Sequence, residues 1–409
     1  MVQKRRRIAV MGAGLAGAGC AVALARDGHD VTLIDQGQPG HGCSFANGAQ
    51  YNAGSSLPMT HPGVVMQAAR WFTKADGPVR FNLRDLPQFV PWFIQFILTG
   101  RPAAWRNAYH ALHALNAPCA GIYRGFLGEA EWQRLFRPRG ALHVWRSGGP
   151  GDEAMAMRAE RGVAVDVLNA ADIQTLEPAL SRDFVRGLYF RDSGHVVSPI
   201  ALVEALVAAA IGRGVTLRQA RISGISLQDD AVTLRSDAAD MTFDGVVVAA
   251  GFAMRQIAKT LGVSLPIASE RGYSVTLPHA AGLVSRPVTD ASSAFVATPI
   301  ADGLRVVGIA EFADANRPPS PAAPKQLVAS VSAMVPGLDV RDVHSWIGVR
   351  PSTPDSLPVI AAHPKAPHVI FAGGHGHMGI SGAPMTAELV ASMVSGRPAP
   401  IPLEPYQNR

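Results

Sequence analysis

The sequence predicts an α/β chain in which a parallel-sheet lobe is interleaved with an α+β lobe built on an antiparallel sheet. Three observations predict it. A strand, a glycine-rich turn, a small-residue helix and a second strand follow one another from Ile8 to Asp35. Another strand, glycine-rich turn and helix run from His368 to about Ser395 near the carboxyl end. Between them, residues 266–312 hold alternating apolar segments that suit antiparallel strands. Composition agrees. The 409 residues are 48% hydrophobic and 17% charged, with mean hydropathy +0.13, which excludes a disordered chain and calls for a large core. The 41 Gly and 31 Pro have no period, so a collagen-like or low-complexity class fails. The net charge of +6 is spread along the chain and does not by itself indicate nucleic acid. Cys20, Cys43 and Cys119 form no CxxC pair, so neither a metal site nor a disulfide framework is expected.

The first element is a short apolar strand, Ile8-Ala9-Val10-Met11. Gly12-Ala13-Gly14-Leu15-Ala16-Gly17 is a GxGxxG turn, Ala18 to Asp27 a helix stopped by Gly28, and Val31 to Ile34 a second strand ending on Asp35. Strand, glycines, helix, strand and terminal acid in this register are the dinucleotide fingerprint of a Rossmann-like lobe. Gly12 permits the tight turn, Gly14 lets a pyrophosphate approach the backbone, and Gly17 lets helix and strand pack closely. The helix start offers free N–H groups to phosphate. Asp35, with Gln36 beside it, is placed to accept ribose hydroxyls. The same stretch resembles a signal peptide, because Lys4-Arg5-Arg6-Arg7 precedes an apolar run. The fingerprint is the more specific reading, so no signal peptide is expected.

The later elements choose the dinucleotide. Phe243 to Val248 reads as a strand running into the Ala249-Ala250-Gly251 turn. His368 to Ala372 reads as a strand before the turn Gly373-Gly374-His375-Gly376-His377, and Met378-Gly379-Ile380 opens a helix that Gly396 stops. A second glycine-rich helix start is unexpected in a simple NAD dehydrogenase. It suits a flavin, whose pyrimidine carbonyl gains negative charge on reduction, since a helix N-terminus stabilises that charge. Ordinary turn glycines are the other reading. Residues 199–213 form a helix by capping and alanine content. Ile222, after the strand Val215-Thr216-Leu217, is placed for backbone contacts to adenine.

The fingerprint continues into Gly42-Cys43-Ser44-Phe45-Ala46-Asn47-Gly48-Ala49-Gln50. Leu176-Glu177-Pro178-Ala179-Leu180, Asp192-Ser193-Gly194-His195 and Gly348-Val349-Arg350-Pro351-Ser352-Thr353-Pro354-Asp355 follow. In this order the motifs resemble the superfamily of FAD-dependent D-amino-acid oxidases and glycine oxidases. They are most similar to the small subunits of bacterial D-amino-acid dehydrogenases. Arg271-Gly272-Tyr273-Ser274-Val275-Thr276-Leu277 and an apolar insertion after residue 60 carry the nearer match, and the resemblance spans the chain. It implies FAD, with Ser44, Asn47 and Gln50 in a loop running past the flavin ring and ribityl chain. Some relatives attach FAD through a His in this loop or a Cys after the Arg motif. Here Ala46-Asn47 and Ser352-Thr353 stand there and Cys43 is offset, so the FAD is expected to be non-covalent.

Two discontinuous lobes are expected. The FAD-binding lobe takes 1–55, 150–265 and 342–409, and the substrate lobe takes 56–149 and 266–341. The most apolar stretch, Leu86 to Leu98, is too short for a membrane span, and Pro87 and Pro91 interrupt it. Two readings stand: a helix packed over the substrate lobe, or a surface patch that docks on a bilayer with Arg84, Arg101 and Arg106 nearby. The protein is accordingly expected in the cytoplasm, with peripheral contact at the inner membrane as the sharper alternative.

Flavin oxidation of an amine moves the Cα hydrogen as a hydride, so the protein must chiefly hold the carboxylate with Cα over the ring. A carboxylate favours a planar bidentate donor. Arg350 is the first candidate, between a strand-like segment and Pro351, and the resemblance gives its Arg-Pro motif that role; a structural ion pair is the alternative. His377 is a polar substrate contact or a helix-capping side chain, at a position where this chain departs from both close family patterns. His375 packs beside the flavin or simply in the turn. Tyr273 is a pocket residue or a core residue of its strand, and Phe295 stands near a substrate contact of relatives. Two activities fit. One is oxidative deamination of D-amino acids to 2-oxo acids and ammonia, with electrons passed to a quinone or respiratory acceptor. The other is oxidation of secondary amino acids, D-proline-like or hydroxyproline-like, or of sarcosine or glycine.

Overall fold

The computed structural model describes residues 5–54, 56–64, 77–82 and 84–407. Lys4 of the basic run and residues 65–76 of the apolar insertion lie outside the described residues.

Apolar β-branched runs make the first sheet. Arg7–Met11, Asp30–Asp35 and Gly245–Val248 are short, with nearly every central side chain buried, as strands covered on both faces must be. The order is Thr216–Gln219, Asp30–Asp35, Arg7–Met11, Gly245–Val248, Ala366–Gly373 and Val359–His363, parallel except for the last strand. From the central strand Arg7–Met11 the chain first goes to one side, to Asp30–Asp35, and later returns on the other as Gly245–Val248. A crevice therefore opens at the carboxyl ends of these two central strands, where such sheets bind ligands. Leu15–Arg26 and Gly379–Ser395 cross closely because their contact is built from small residues: a Cβ on Gly19 would lie 3.4 Å from Ala387 Cβ. These helices and Pro199–Ile211 share one core.

The second sheet has nine strands. Its order is His344–Ser352, Ala268–Leu277, Gly303–Phe312, Phe295–Ile300, Val288–Asp290, Ala141–Trp145, Arg186–Phe190 and Val165–Asn169, with Val79–Phe81 attached to Gly303–Phe312. Helix Ala322–Met334 covers one face, burying Leu327 and Val331 among Tyr273, Val275 and Phe295. A bulge interrupts the central pair. Gly272 faces Ala310 and Tyr273 faces Gly308, which leaves Ile309 as the extra residue at φ +56°. A β-branched residue in the left-handed region is strained, and such bulges re-aim a strand.

The lobe boundaries differ from those expected. Val165–Asn169, Arg186–Phe190 and His344–Ser352 are strands of the second sheet, although sequence order put them with the first lobe. Helices Pro102–Asn116 and Cys119–Leu127 bury Leu112, Tyr123 and Phe126 in the first lobe's core, although they were expected in the second. Hydrogen-bond pairing and apolar faces, not proximity in sequence, assign an element to its lobe.

Leu86–Thr99 is one continuous helix. Pro87 sits in its first turn, where its missing N–H costs nothing, and Pro91 removes one internal bond. Phe89 and Trp92 pack on Phe312, with Phe93 and Phe96 beside them. Val90, Ile94, Ile97 and Leu98 point the other way, 44–55% exposed. Among the described residues no helix is long and apolar enough to cross a membrane.

Candidate active site

The glycine turns meet at the crevice. Gly12 (φ +101°) donates its N–H to Ile34 O at 2.7 Å, and a Cβ there would lie 2.5 Å from Ala249 O. A Cβ on Gly17 would overlap the carbonyl oxygen of Gly12. Positions 12 and 17 of the turn can therefore be only glycine, and the turn leaves the start of helix Leu15–Arg26 open. Leu15 N–H donates to Ser44 Oγ at 3.3 Å. Ser44 thus stands over the N-terminus, where a pyrophosphate would find Gly14, Leu15 and Ala16 amides. Asp35 accepts from Ala13 N–H (2.7 Å) and Gly37 N–H (2.9 Å). It stays half-buried at the crevice edge, with the exposed Gln36 beside it. Ala250 and Gly251 (φ +57°) follow the strand on the other side. Ile222 begins the strand Ile222–Leu227, just beyond Ala220, whose N–H donates to Asp35 O at 2.9 Å.

The second glycine turn is stitched to the arginine strand. Gly376 N–H donates to Pro351 O at 3.0 Å, and Ser352 forms a bridge with His375. Gly374 and Gly376 adopt φ of +85° and +52°, so the turn folds tightly against that strand. Met378 N–H donates to His375 O at 2.8 Å, and helix Gly379–Ser395 starts there with Ile380 buried. The stitching brings Arg350 and His377 to one cavity of about 110 Å³, which Asn47, Gln50, Gly376, Gly272, Ser274, Val296, Val307 and Trp346 also line.

Gln50 Nε2 and Asn52 Oδ1, both in this lining, are buried without a hydrogen-bond partner among the described residues. Buried amides left unpaired cost free energy unless a ligand satisfies them. One is a donor and one an acceptor, which matches a flavin ring edge with its carbonyl oxygens and N–H. With the glycine turns and the open helix start, these residues fit FAD.

Arg350 lies flat on Gly272, where a Cβ would overlap its guanidinium. Its Nη1 donates to Glu270 Oε1 at 2.6 Å, and Ser352 Oγ donates to Glu270 Oε2 at 2.5 Å. Glu270 is 1% exposed. Burial alone would raise its pKa, but Arg350, His377 and the two hydrogen bonds outweigh that and hold its carboxyl below the usual range. His377 lines the cavity and remains exposed there. Desolvation by the protein packed around the ring pushes its pKa below the usual imidazole value, Glu270 opposes this and Arg350 adds to it, so the ring is mostly neutral near pH 7. His375 is buried, with Nε2 2.8 Å from Thr386 Oγ1, and burial lowers its pKa to about 4. Cys43 lines the cavity, and burial raises its thiol to about 11, which makes it a poor nucleophile.

Two expected contacts resolve by strand alternation. Tyr273 borders the cavity, but its ring packs in the core and its hydroxyl donates to Glu311 at 2.6 Å and accepts from Ser320 N–H. Phe295 is buried in the same core, and its neighbour Val296 lines the cavity instead. Sequence reasoning missed Glu270, Asn52 and Trp346. Trp346 and Arg350, four residues apart, share a strand face, a visible signal. Asn52 lies two residues past Gln50. Nothing in the sequence pairs Glu270 with Arg350.

The family described as FAD dependent oxidoreductase, DAO, matches residues 7–393. A D-amino-acid oxidase of Bradyrhizobium diazoefficiens is 31% identical over 412 residues, covering 98% of both chains. A D-amino acid dehydrogenase of Paramagnetospirillum magneticum is 32% identical over 419 residues, covering 97% of each. Among solved structures, glycine oxidase from Geobacillus kaustophilus superposes with a TM-score of 0.74 at 22% identity, covering 99% of this chain and 98% of that one. L-proline dehydrogenase from P. horikoshii gives 0.75 at 17% identity, covering 99% and 97%. At these identities the structures establish the shared fold.

Proposed function

This chain belongs to the DAO family of FAD-dependent oxidoreductases, and from that premise we propose that it oxidises D-amino acids to 2-oxo acids and ammonia. The observation that carries the reading is the stitching of the Arg350 strand to the second glycine turn, which sets a guanidinium and a neutral imidazole in one cavity at the flavin-binding crevice. Bound FAD supplies a two-electron acceptor for the Cα hydrogen and its bonding pair. Arg350 offers its remaining guanidinium donors to the substrate carboxylate and so fixes Cα. His377, neutral, accepts a hydrogen bond from the substrate amine, which must be unprotonated to react. As Cα gives up hydride, the amine lone pair forms the C=N bond, so the substrate becomes an iminium with no proton lost. Water then hydrolyses the released imine to the 2-oxo acid and ammonia. Val296, Val307 and Trp346 surround the side chain.

A panel of D-amino acids, D-proline, sarcosine and glycine, assayed with a dye acceptor beside oxygen uptake, tests the reading. Arg350→Lys should raise KM for every amino-acid substrate. An unchanged KM would show that Arg350 is not the anchor, and activity confined to secondary amines would replace the substrate class.

The electron acceptor in this proposal is a quinone, reached by peripheral docking from the cytoplasmic side of the membrane. Leu86–Thr99 supports it: the helix has no charged residue and turns four large apolar side chains outward. Arg84 and Arg101 bracket it, exposed and without side-chain partners among the described residues. An apolar stripe between cations suits an anionic bilayer. Arg106 does not contribute, because it is paired with Glu160 at 2.7 Å. Trp92 is buried, its indole N–H donating to Ser352 O at 3.0 Å, so the informative variant is Ile94→Ser/Ile97→Ser. It should lose flotation with anionic liposomes. Unchanged flotation would refute docking, and a change of oligomeric state instead would mark the face as a self-interface.

A further inference from the structure

Arg350 does not meet the cavity as a free cation. Across the pair of strands His344–Ser352 and Ala268–Leu277, Arg350 faces Glu270, Gly348 faces Gly272 and Trp346 faces Ser274. These side chains share the cavity face. Glu270 is clamped from both sides, since Arg350 Nη1 donates to one oxygen and Ser352 Oγ to the other. Gly272 supplies the flat backbone on which the guanidinium rests. One arm of the guanidinium is therefore committed to protein, which fixes the direction in which its other donors point.

The charges around the cavity then balance. Among its described lining residues Arg350 is the one permanent cation, and Glu270, directly beneath it, is an anion. His377 and Cys43 are neutral near pH 7. Arg305 is not itself a lining residue; its Nε donates to Thr276 Oγ1 (2.8 Å) and its Nη1 to the main-chain carbonyl of the lining residue Asn47 (3.5 Å). A substrate α-carboxylate uses the free donors of Arg350. A second carboxylate on the side chain would meet no further cation among the described lining residues and would feel Glu270 at close range. A cationic side chain would meet the Arg350 guanidinium in the lining, and both Glu270 oxygens already accept from protein donors.

We infer that Glu270 is a positioning residue that aims Arg350 at the substrate carboxylate and, by placing a fixed negative charge beneath it, restricts the site to amino acids with uncharged side chains. This rests on the reading that Arg350 is the carboxylate anchor, and deepens it.

The test compares an isosteric pair, D-glutamine and D-glutamate, on the FAD-loaded enzyme and on Glu270→Gln. The amide can still accept from Arg350, so aim is largely kept while the charge is removed. The parent should prefer D-glutamine, and Glu270→Gln should narrow the kcat/KM ratio by about tenfold or more, mostly through KM, the size expected for one unit charge at short range in a protein interior. Glu270→Asp restores charge but withdraws the contact. It should keep the discrimination while raising KM for both substrates. An unchanged ratio in Glu270→Gln overturns the inference.

Should Glu270→Gln turn over too slowly to measure, binding decides. Glutarate and its monoamide are titrated into the oxidised enzyme while the flavin absorbance is followed. The affinity ratio should shift toward glutarate in the variant, and an unmoved ratio again overturns the inference. Arg350→Met separates the two levels. Parent-like binding of the monoamide by Arg350→Met refutes the anchor itself. Loss of binding there, with an unmoved ratio in Glu270→Gln, refutes only the role of Glu270.

Discussion

Gly272→Ala tests the anchor by geometry alone. The new Cβ would overlap Cζ, Nε and Nη2 of Arg350, and the guanidinium must retreat by about 1 Å to restore ordinary contact. Gly272 is not at positive φ, so the strand itself tolerates alanine. The clash falls on the mobile end of a side chain rather than on backbone, which confines the damage to the site. A retreat of that size carries the 2.6 Å contact between Arg350 and Glu270 past hydrogen-bond reach. A charge-assisted bond of this kind is worth about 1.5–3 kcal/mol, and a misplacement of about 1 Å can cost roughly 100-fold in rate. The expected outcome is a fall in kcat/KM of about 30- to 100-fold, mostly in KM, with flavin content and Tm nearly unchanged. The assay is steady-state dye reduction with the best D-amino acid of the panel. A kcat/KM within about threefold of the parent, at equal flavin content, would refute the placement of Arg350 over Gly272 as the substrate anchor.

Four other outcomes are expected. Gly17→Ala puts a methyl group onto the carbonyl of Gly12, where backbone must move; the protein should purify without flavin colour, and retained FAD would contradict the cradle. Acid precipitation of the parent should leave the yellow colour in the supernatant, since Cys43 is a raised-pKa thiol and Ser352 and Thr353 follow the Arg-Pro pair. Trp92→Ala deletes a buried ring and its bond to Ser352 O, and should cost about 3–5 kcal/mol in denaturant unfolding. Burial holds His143, His195 and His375 at pKa values of about 3, 4 and 4, below the unfolded value of about 6.5. As pH falls below about 6.5 the unfolded chain takes up protons that the folded protein refuses, so stability falls toward pH 4 by roughly 1.4 kcal/mol per pH unit for each histidine. Urea titrations at three pH values should show that slope reduced by one histidine's share in His143→Phe.

The first lobe was legible because its signals are local. A GxGxxG turn between a strand and a helix is dictated within a dozen residues, by the absence of Cβ at Gly12 and Gly17, and the structure puts both where a Cβ cannot fit. The second glycine turn was legible for the same reason. Arg350 stood out because Pro351 and the preceding strand mark it, although its partner was hidden. Tyr273 and Phe295 show a different limit. Each was placed on the right strand, but sequence alone could not say which face of a two-residue repeat meets the core. In the structure both rings join the core and Ser274 and Val296 take the cavity side.

By itself, then, the sequence determined the dinucleotide fingerprint and the flavin, since backbone geometry and side-chain chemistry at neighbouring positions settle those, and it marked Arg350 as the candidate anchor. Only the tertiary structure decided what surrounds the arginine. Glu270 lies 80 residues from Arg350 and meets it through the pairing of Ala268–Leu277 with His344–Ser352. The lobe membership of Val165–Asn169 and the outward face of Leu86–Thr99 were settled in the same way. Strand partners and buried faces are chosen by the whole chain's burial of apolar area, and no local pattern encodes that choice.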